Sequence, residues 1–210
     1  MNIYFNDSFN QPVDNLHLNI LSITFGWLFN QPIDNLPQGI LNLAFHHEFN
    51  CTVDNLHQSL QNLNFGYKFN QSVDNLPHNL QNLTFGDNFN QTVNNLPQGI
   101  LNLIFGIYFD QLVDNLPQSL QNLTLGDDFN QTVDNLPNSL LTINFLNYIS
   151  FNPSIFNKQL NCLPNSIYKI KLPKNYDQEI KIIPSNLKKI ICSSTYKFTS
   201  KFNNIDIVYI

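Results

Sequence analysis

Hydrophobic residues recur along this chain at a fixed spacing. The pair Phe-Asn begins at residues 9, 29, 49, 69, 89 and 129, and Phe109-Asp110 fills the remaining place in the series. Counted from that phenylalanine, the apolar positions of each unit are 1, 5, 8, 12, 15 and 17. This spacing matches neither the helical period of about 3.6 residues nor the alternation of a long strand. The repeat therefore predicts a solenoid, in which stacked coils share one core.

Each unit is predicted to contain one short strand, a corner and an irregular return. Positions 15 and 17 flank a polar residue, as in Leu83-Thr84-Phe85, and this alternation indicates a strand. Glycine follows the strand in five of the seven full units and marks the corner. Leu-Pro occurs on the return in five of the seven units and opposes a helix there, and Pro37-Gln38-Gly39-Ile40 has the composition of a turn.

Stacking of the coils accounts for the constant residues. Each phenylalanine is expected to meet its copy in the next coil, with parallel strands about 4.8 Å apart. Asparagine is unusually abundant, with 36 copies in 210 residues. The asparagines at position 7, from Asn15 to Asn135, are predicted to form a ladder that satisfies turn carbonyls. Position 16, between two core positions, is predicted to point outward.

The whole chain, 1–210, is predicted to be a single solenoid. Residues 1–8 form a partial coil, 9–148 form seven uninterrupted repeats, 149–155 are an insertion, and 156–210 are degenerate, lysine-rich coils. The closing Ile207-x-x-Ile210 is expected in phase with Leu187-x-x-Ile190, one repeat earlier.

Charge is distributed unevenly along this array. Residues 1–155 hold twelve acids and one lysine, whereas residues 156–210 hold nine lysines and three acids. Arginine is absent. A uniformly basic nucleic-acid binder would not have this distribution, so nucleic acid is disfavoured as a partner.

The motifs resemble a known repeat family. Phe29-Asn30-Gln31-Pro32-Ile33, Leu36-Pro37 and Leu83-Thr84-Phe85-Gly86 are similar to the FNIP repeat, a divergent relative of leucine-rich repeats found in amoebae and giant viruses. The resemblance implies a leucine-rich-repeat-like β-solenoid of 20-residue coils, with a parallel sheet on one face and irregular returns. It also implies protein binding in an intracellular location. Many relatives carry an F-box that links the repeats to substrate recognition for ubiquitin ligases, and no F-box is expected here.

Function is expected where the repeat does not determine the residue. Positions 19 and 20, directly after the corner, vary most between units and include residue types enriched at binding hot spots. The candidate partner-binding residues are Trp27, His47, Tyr67, Tyr108 and Tyr148. Surface packing against the neighbouring corner is the alternative explanation for the aromatic residues. The chain is accordingly predicted to be a protein-interaction scaffold or adaptor with an unidentified protein partner, and a monomer is favoured.

A second candidate site lies in the lysine-rich coils. Lys169, Lys171 and Lys189 fall at positions 14, 16 and 14 and should face outward from adjacent strands, with Lys188 beside them. Such a patch would bind nucleic acid or polyphosphate weakly. The favoured alternative is that these lysines protect the last strands of the sheet from pairing with other chains.

No residue pattern indicates catalysis, a cofactor or a metal, so the chain is predicted not to be an enzyme. His46-His47-Glu48 with Cys51 comes nearest to a metal site, but these residues share one corner and no second cluster faces them. Neither a signal peptide nor a membrane-spanning run is evident. The expected location is the cytoplasm, or the host cytoplasm if the protein is viral.

Overall fold

The computed structural model describes residues 1–17, 19–146 and 154–210, and these form one parallel sheet of 11 strands. The strands follow one another in chain order, so each coil contributes one strand and lies between its sequence neighbours. They are β1 (Asn2–Tyr4), β2 (Ser22–Phe25), β3 (Asn42–Phe45), β4 (Asn62–Asn64), β5 (Asn82–Thr84), β6 (Asn102–Ile104), β7 (Asn122–Leu125), β8 (Thr142–Phe145), β9 (Lys169–Lys171), β10 (Lys189–Cys192) and β11 (Asp206–Tyr209). The predicted β-solenoid is confirmed.

The strand register follows the sequence repeat except near the C-terminal end. From β1 to β8 each residue lies opposite its counterpart in the next repeat, as Ile23 does opposite Leu43. Between β10 and β11, Ile190 lies opposite Ile207, whereas an unbroken repeat would place Ile210 there. The prediction that Ile207 aligns with Leu187 is therefore wrong. The last return is shorter by three residues and contains a 3₁₀ turn at Thr199–Lys201.

Two columns of phenylalanine rings fill the core along the solenoid. One column, at position 17, lies on the inward face of the strands, and the other, at position 1, begins the return. Within one coil the ring centroids of Phe85 and Phe89 are 3.7 Å apart. Between coils, Phe85 stacks on Phe105 at 5.4 Å, and Phe89 stacks on Phe109 at 6.1 Å. Each ring thus meets its copy, as predicted, although Leu125 interrupts the position 17 column.

Buried tyrosines continue the position 1 column into the lysine-rich coils. The ring of Phe156 lies 6.1 Å from that of Tyr176, and the Tyr176 ring lies 5.9 Å from that of Tyr196. Each tyrosine hydroxyl donates to a backbone carbonyl, that of Lys158 at 3.1 Å and that of Gln178 at 3.0 Å. Burial raises the pKa of Tyr176 and raises the pKa of Tyr196 to about 12. The polar tips are therefore satisfied inside the core.

The predicted asparagine ladder exists at position 7, but its hydrogen-bond partners are not the predicted turn carbonyls. At position 7 each amide donates to the position 6 side chain of the preceding coil, as Asn95 does to Asp74 Oδ1 at 3.1 Å. At position 2 the side-chain oxygen accepts the backbone N–H of the next coil. Asn70 Oδ1 accepts from Asn90 N at 2.9 Å, and Asn90 Oδ1 accepts from Asp110 N at 2.9 Å. The position 7 ladder thus bonds to side chains rather than to turn carbonyls, whereas a second ladder at position 2 satisfies backbone N–H groups.

Close stacking explains the glycine at the corner. A Cβ atom added at Gly86 would lie 2.0 Å from the carbonyl oxygen of Gly66 in the preceding coil. A different requirement operates at Gly39, whose φ of 95° suits the turn that the sequence predicted around Pro37. Within the described ranges, no helix has the length and hydropathy needed to cross a membrane.

Candidate functional site

Positions 19 and 20 form a continuous surface along one edge of the solenoid, directly after the strands. Here the backbone N–H of position 20 donates to the position 19 carbonyl of the preceding coil, from Lys68 to His47 at 2.9 Å and from Tyr108 to Asp87 at 3.0 Å. The side chains are therefore presented from a hydrogen-bonded frame. We call this surface the corner strip; it consists of Asp7, Ser8, Trp27, Leu28, His47, Glu48, Tyr67, Lys68, Asp87, Asn88, Ile107, Tyr108 and Asp128, while Asp127 at position 19 is buried.

Three predicted site residues stack in the corner strip. The rings of Trp27 and His47 are 4.3 Å apart and 6° from parallel. The rings of His47 and Tyr67 are 4.7 Å apart and 1° from parallel. Trp27 nevertheless remains 50% exposed and Tyr67 remains 38% exposed. Packing against the neighbouring corner is thus real, and it leaves aromatic surface accessible.

A small charged network lies beside this stack. Glu48 Oε1 is 2.6 Å from His47 Nδ1, and Glu48 Oε2 is 2.7 Å from Lys68 Nζ. Hydrogen bonds to Lys68 and, as the second-largest cause, to His47 lower the pKa of the Glu48 carboxyl. Glu48 directly follows His47 in the chain, and its bonds to His47 and Lys68 hold the His47 ring, the middle ring of the stack, in place.

Tyr108, a fourth predicted residue, is 46% exposed and lies in the corner strip two coils along from Tyr67. Interaction with the Tyr67 hydroxyl raises the pKa of Tyr108, and the nearby carboxylates of Asp128 and Asp87 act in the same direction. The sequence analysis did not select these two aspartates, although both occupy the variable positions that it singled out. Tyr148, the fifth predicted residue, lies outside the described residues.

The outward face of the sheet carries an amide ladder that the sequence analysis missed. At position 14, Asn62 Nδ2 donates to Asn42 Oδ1 and Asn82 Nδ2 donates to Asn62 Oδ1, both at 2.5 Å. Thr142 completes the row, since its hydroxyl donates to Asn122 Oδ1 at 2.7 Å. A shallow groove of about 170 Å³ crosses this face over β2 to β5. The sequence signal for this ladder was asparagine at position 14 in five consecutive repeats, from Asn42 to Asn122.

The lysine patch is brought together by strand register. Lys169 on β9 lies opposite Lys189 on β10, and Lys171 on β9 lies opposite Ile191. Lys169, Lys171 and Lys189 are half-buried and face outward as predicted. Lys188, which directly precedes Lys189, is exposed. Lys189 Nζ is also 3.1 Å from Asp206 Oδ2 on β11. One of the predicted anion-binding cations is therefore already paired.

The histidine and cysteine residues near this corner have partners other than a metal. His47 contacts Glu48, and the Cys51 thiol lies 3.4 Å from Asn30 Oδ1. Burial raises the pKa of the Cys51 thiol, which keeps it protonated. Among residues 1–17, 19–146 and 154–210, no three His, Cys, Asp or Glu side chains come together as a metal site.

A parallel sheet with one strand per 20-residue coil, a stacked aromatic core and an asparagine ladder defines the class as a leucine-rich-repeat-like solenoid. The FNIP Repeat family model matches residues 50–88, 69–108 and 109–148. The chain therefore contains FNIP repeats.

A solved structure has a similar fold. The crystal structure of CroV588, described as a novel circular LRR protein structure, superposes with a TM-score of 0.80 and 37% sequence identity. The alignment covers 92% of this chain and 30% of that protein, so the chain spans less than a third of its length. No curated protein matches the sequence.

Proposed function

We propose that this chain is a protein-interaction scaffold whose partner docks on the corner strip. The observation that supports this proposal is the half-exposed stack of Trp27, His47 and Tyr67. Rings held parallel by their neighbours lose little conformational freedom when a partner covers them. Aromatic residues with these properties are enriched at interaction hot spots.

The sheet face beside the corner strip extends the proposed surface. Its strand residues at position 16, such as Asn64 and Ile104, are exposed, and the groove over β2 to β5 lies among them. A partner that covers both surfaces would bury aromatic side chains at one edge and hydrogen-bond to amides on the face. An adaptor role in choosing ubiquitin-ligase substrates is the more specific form of this proposal, with the substrate held on the same surface.

Affinity capture with the purified chain tests the proposal. The double variant Trp27→Ala/Tyr67→Ala removes both ends of the aromatic stack, and a purified partner should bind it at least about tenfold more weakly than wild type. A matched control, Leu112→Ala/Ile182→Ala, truncates two side chains that are more exposed but lie off the strip. Equal binding by wild type and both variants would place the partner elsewhere and refute the proposed site.

Binding of an anion by the lysine patch is the second candidate function. The register that aligns Lys169 with Lys189 supports it, whereas the Lys189–Asp206 ion pair opposes it. Retention on a polyphosphate or single-stranded DNA column at low salt should be lost in Lys169→Glu/Lys171→Glu/Lys189→Glu. Absence of retention of the wild-type chain at about 50 mM salt would remove this function.

A further inference from the structure

The corner strip carries carboxylates that its own cations do not neutralise. The acidic part of the chain, residues 1–155, contains a single lysine, Lys68, and its ammonium group is engaged with Glu48. In the part of the chain that the structure describes, Asp87 and Asp128 take part in no ion pair. The backbone places both aspartates next to Tyr108, since the Tyr108 N–H donates to the Asp87 carbonyl at 3.0 Å and the Asp128 N–H donates to the Ile107 carbonyl at 2.9 Å. Negative charge therefore accumulates beside exposed aromatic surface.

This combination matches the chemistry of a guanidinium group. Arginine stacks its planar cation on an aromatic face and binds a carboxylate through two parallel hydrogen bonds. The corner strip offers aromatic surface at Trp27, Tyr67 and Tyr108, which are 50%, 38% and 46% exposed. We infer that the segment docking on the corner strip is a short, extended peptide that carries arginines. The inference rests on the proposed function and names the chemistry of the partner.

The spacing of the coils sets the length of this peptide. Five strand intervals separate the coil of Trp27 from that of Asp128, which is about 24 Å at the usual strand separation. An extended peptide of about seven residues covers that distance. Arginine is absent from this chain, so a second copy of it does not supply the guanidinium group.

The single tryptophan makes the test site-specific. Because Trp27 is the one tryptophan of the chain and lies in the strip, its fluorescence reports on occupancy of that surface. Seven-residue peptides of alternating arginine and serine are titrated against wild type at about 50 mM salt, next to peptides with lysine or glutamate in place of arginine. A saturable change is expected with the arginine peptide, a weaker one with the lysine peptide and none with the glutamate peptide.

Charge variants then separate local recognition from general attraction. Asp87→Asn/Asp128→Asn removes two carboxylates of the strip while keeping an oxygen for the Ile107 N–H, which Asp87 Oδ1 accepts at 3.3 Å. This variant should bind the arginine peptide at least about tenfold more weakly. The matched control is Asp54→Asn/Asp114→Asn, since Asn94 occupies the same repeat position naturally. Its affinity should stay within about threefold of wild type.

Three results would overturn the inference: no binding of the arginine peptide, equal binding of the arginine and lysine peptides, or equal losses in the two charge variants. The Trp27→Ala/Tyr67→Ala capture experiment is independent of these outcomes. If the peptide fails and a captured partner still depends on Trp27 and Tyr67, the arginine chemistry is wrong and the scaffold proposal stands. If binding of the captured partner ignores both residues, the scaffold site itself is wrong.

Discussion

Removing one ring from the middle of the core tests whether aromatic stacking holds the coils together. Phe105 is fully buried, and its ring centroid lies 3.7 Å from Phe109 and 5.4 Å from Phe85. Truncation to alanine loses the transfer free energy of the ring and leaves a cavity, which together cost about 3–5 kcal/mol. Each lost aromatic pair is worth about 0.5–1.5 kcal/mol beyond burial, so the upper part of that range is expected for Phe105→Ala.

Phe105→Leu is the matched control. The next coil carries Leu125 at the same repeat position, and that side chain is also fully buried. The column therefore accepts the shape of leucine. Because most of the volume is kept and chiefly the stacking is lost, Phe105→Leu should cost about 1–1.5 kcal/mol.

Equilibrium unfolding in urea measures both variants. Far-UV circular dichroism follows the whole sheet, while the fluorescence of Trp27 follows a coil four strands away from Phe105. Coincident transitions with an unchanged denaturant slope are expected if the array unfolds as one unit. A loss below about 1 kcal/mol for alanine, or equal losses for alanine and leucine, would refute the role assigned to stacking.

The ladder, the corner and the buried tyrosines each give one further prediction. Asn90→Ala removes the acceptor for the Asp110 N–H and should lower the free energy of unfolding by about 1 kcal/mol, measured in urea. Gly86→Ala forces its Cβ against the Gly66 carbonyl oxygen and should cost about 1–3 kcal/mol, measured as a lower Tm by calorimetry. The pKa of Tyr196 rises from 10.0 to about 12 on folding. The buried, protonated hydroxyl therefore stabilises the folded chain fully below pH 10, and this contribution is lost as the pH rises toward 12. Urea unfolding across that pH range should show a smaller decline for Tyr196→Phe.

Each of these predictions has a control within the chain. Asn90→Asp keeps a side-chain oxygen as acceptor, as Asp110 does at the same repeat position one coil later, where it accepts the Asn130 N–H. It should therefore cost less than Asn90→Ala. Gly99→Ala brings its Cβ no closer than 3.1 Å to another atom and should cost less than the corner variant. Tyr209→Phe changes an exposed tyrosine and should leave the alkaline decline in stability as in wild type. Equal effects in a variant and its control would contradict the corresponding contact.

The sequence repeat predicted most of the fold and part of the candidate site. A core phenylalanine that recurs from coil to coil can be buried only by stacking on its copies, so the period predicted both the solenoid and the inward rings of Phe85 and Phe89. The same period placed Trp27 and Tyr67 in one strip, because residues at one repeat position lie above one another. Departure from the repeat marked them as candidates.

Contacts between coils were decided by the tertiary structure alone. The amide of Asn95 could have reached a turn carbonyl, another amide or a carboxylate, and only the lateral offset between coils directs it to Asp74. The shortened last return likewise shifted Ile207 by three places, because a tight turn and not the period sets its length. A one-dimensional period thus determined which residues share a column. The spacing and tilt of neighbouring coils decided which atoms meet.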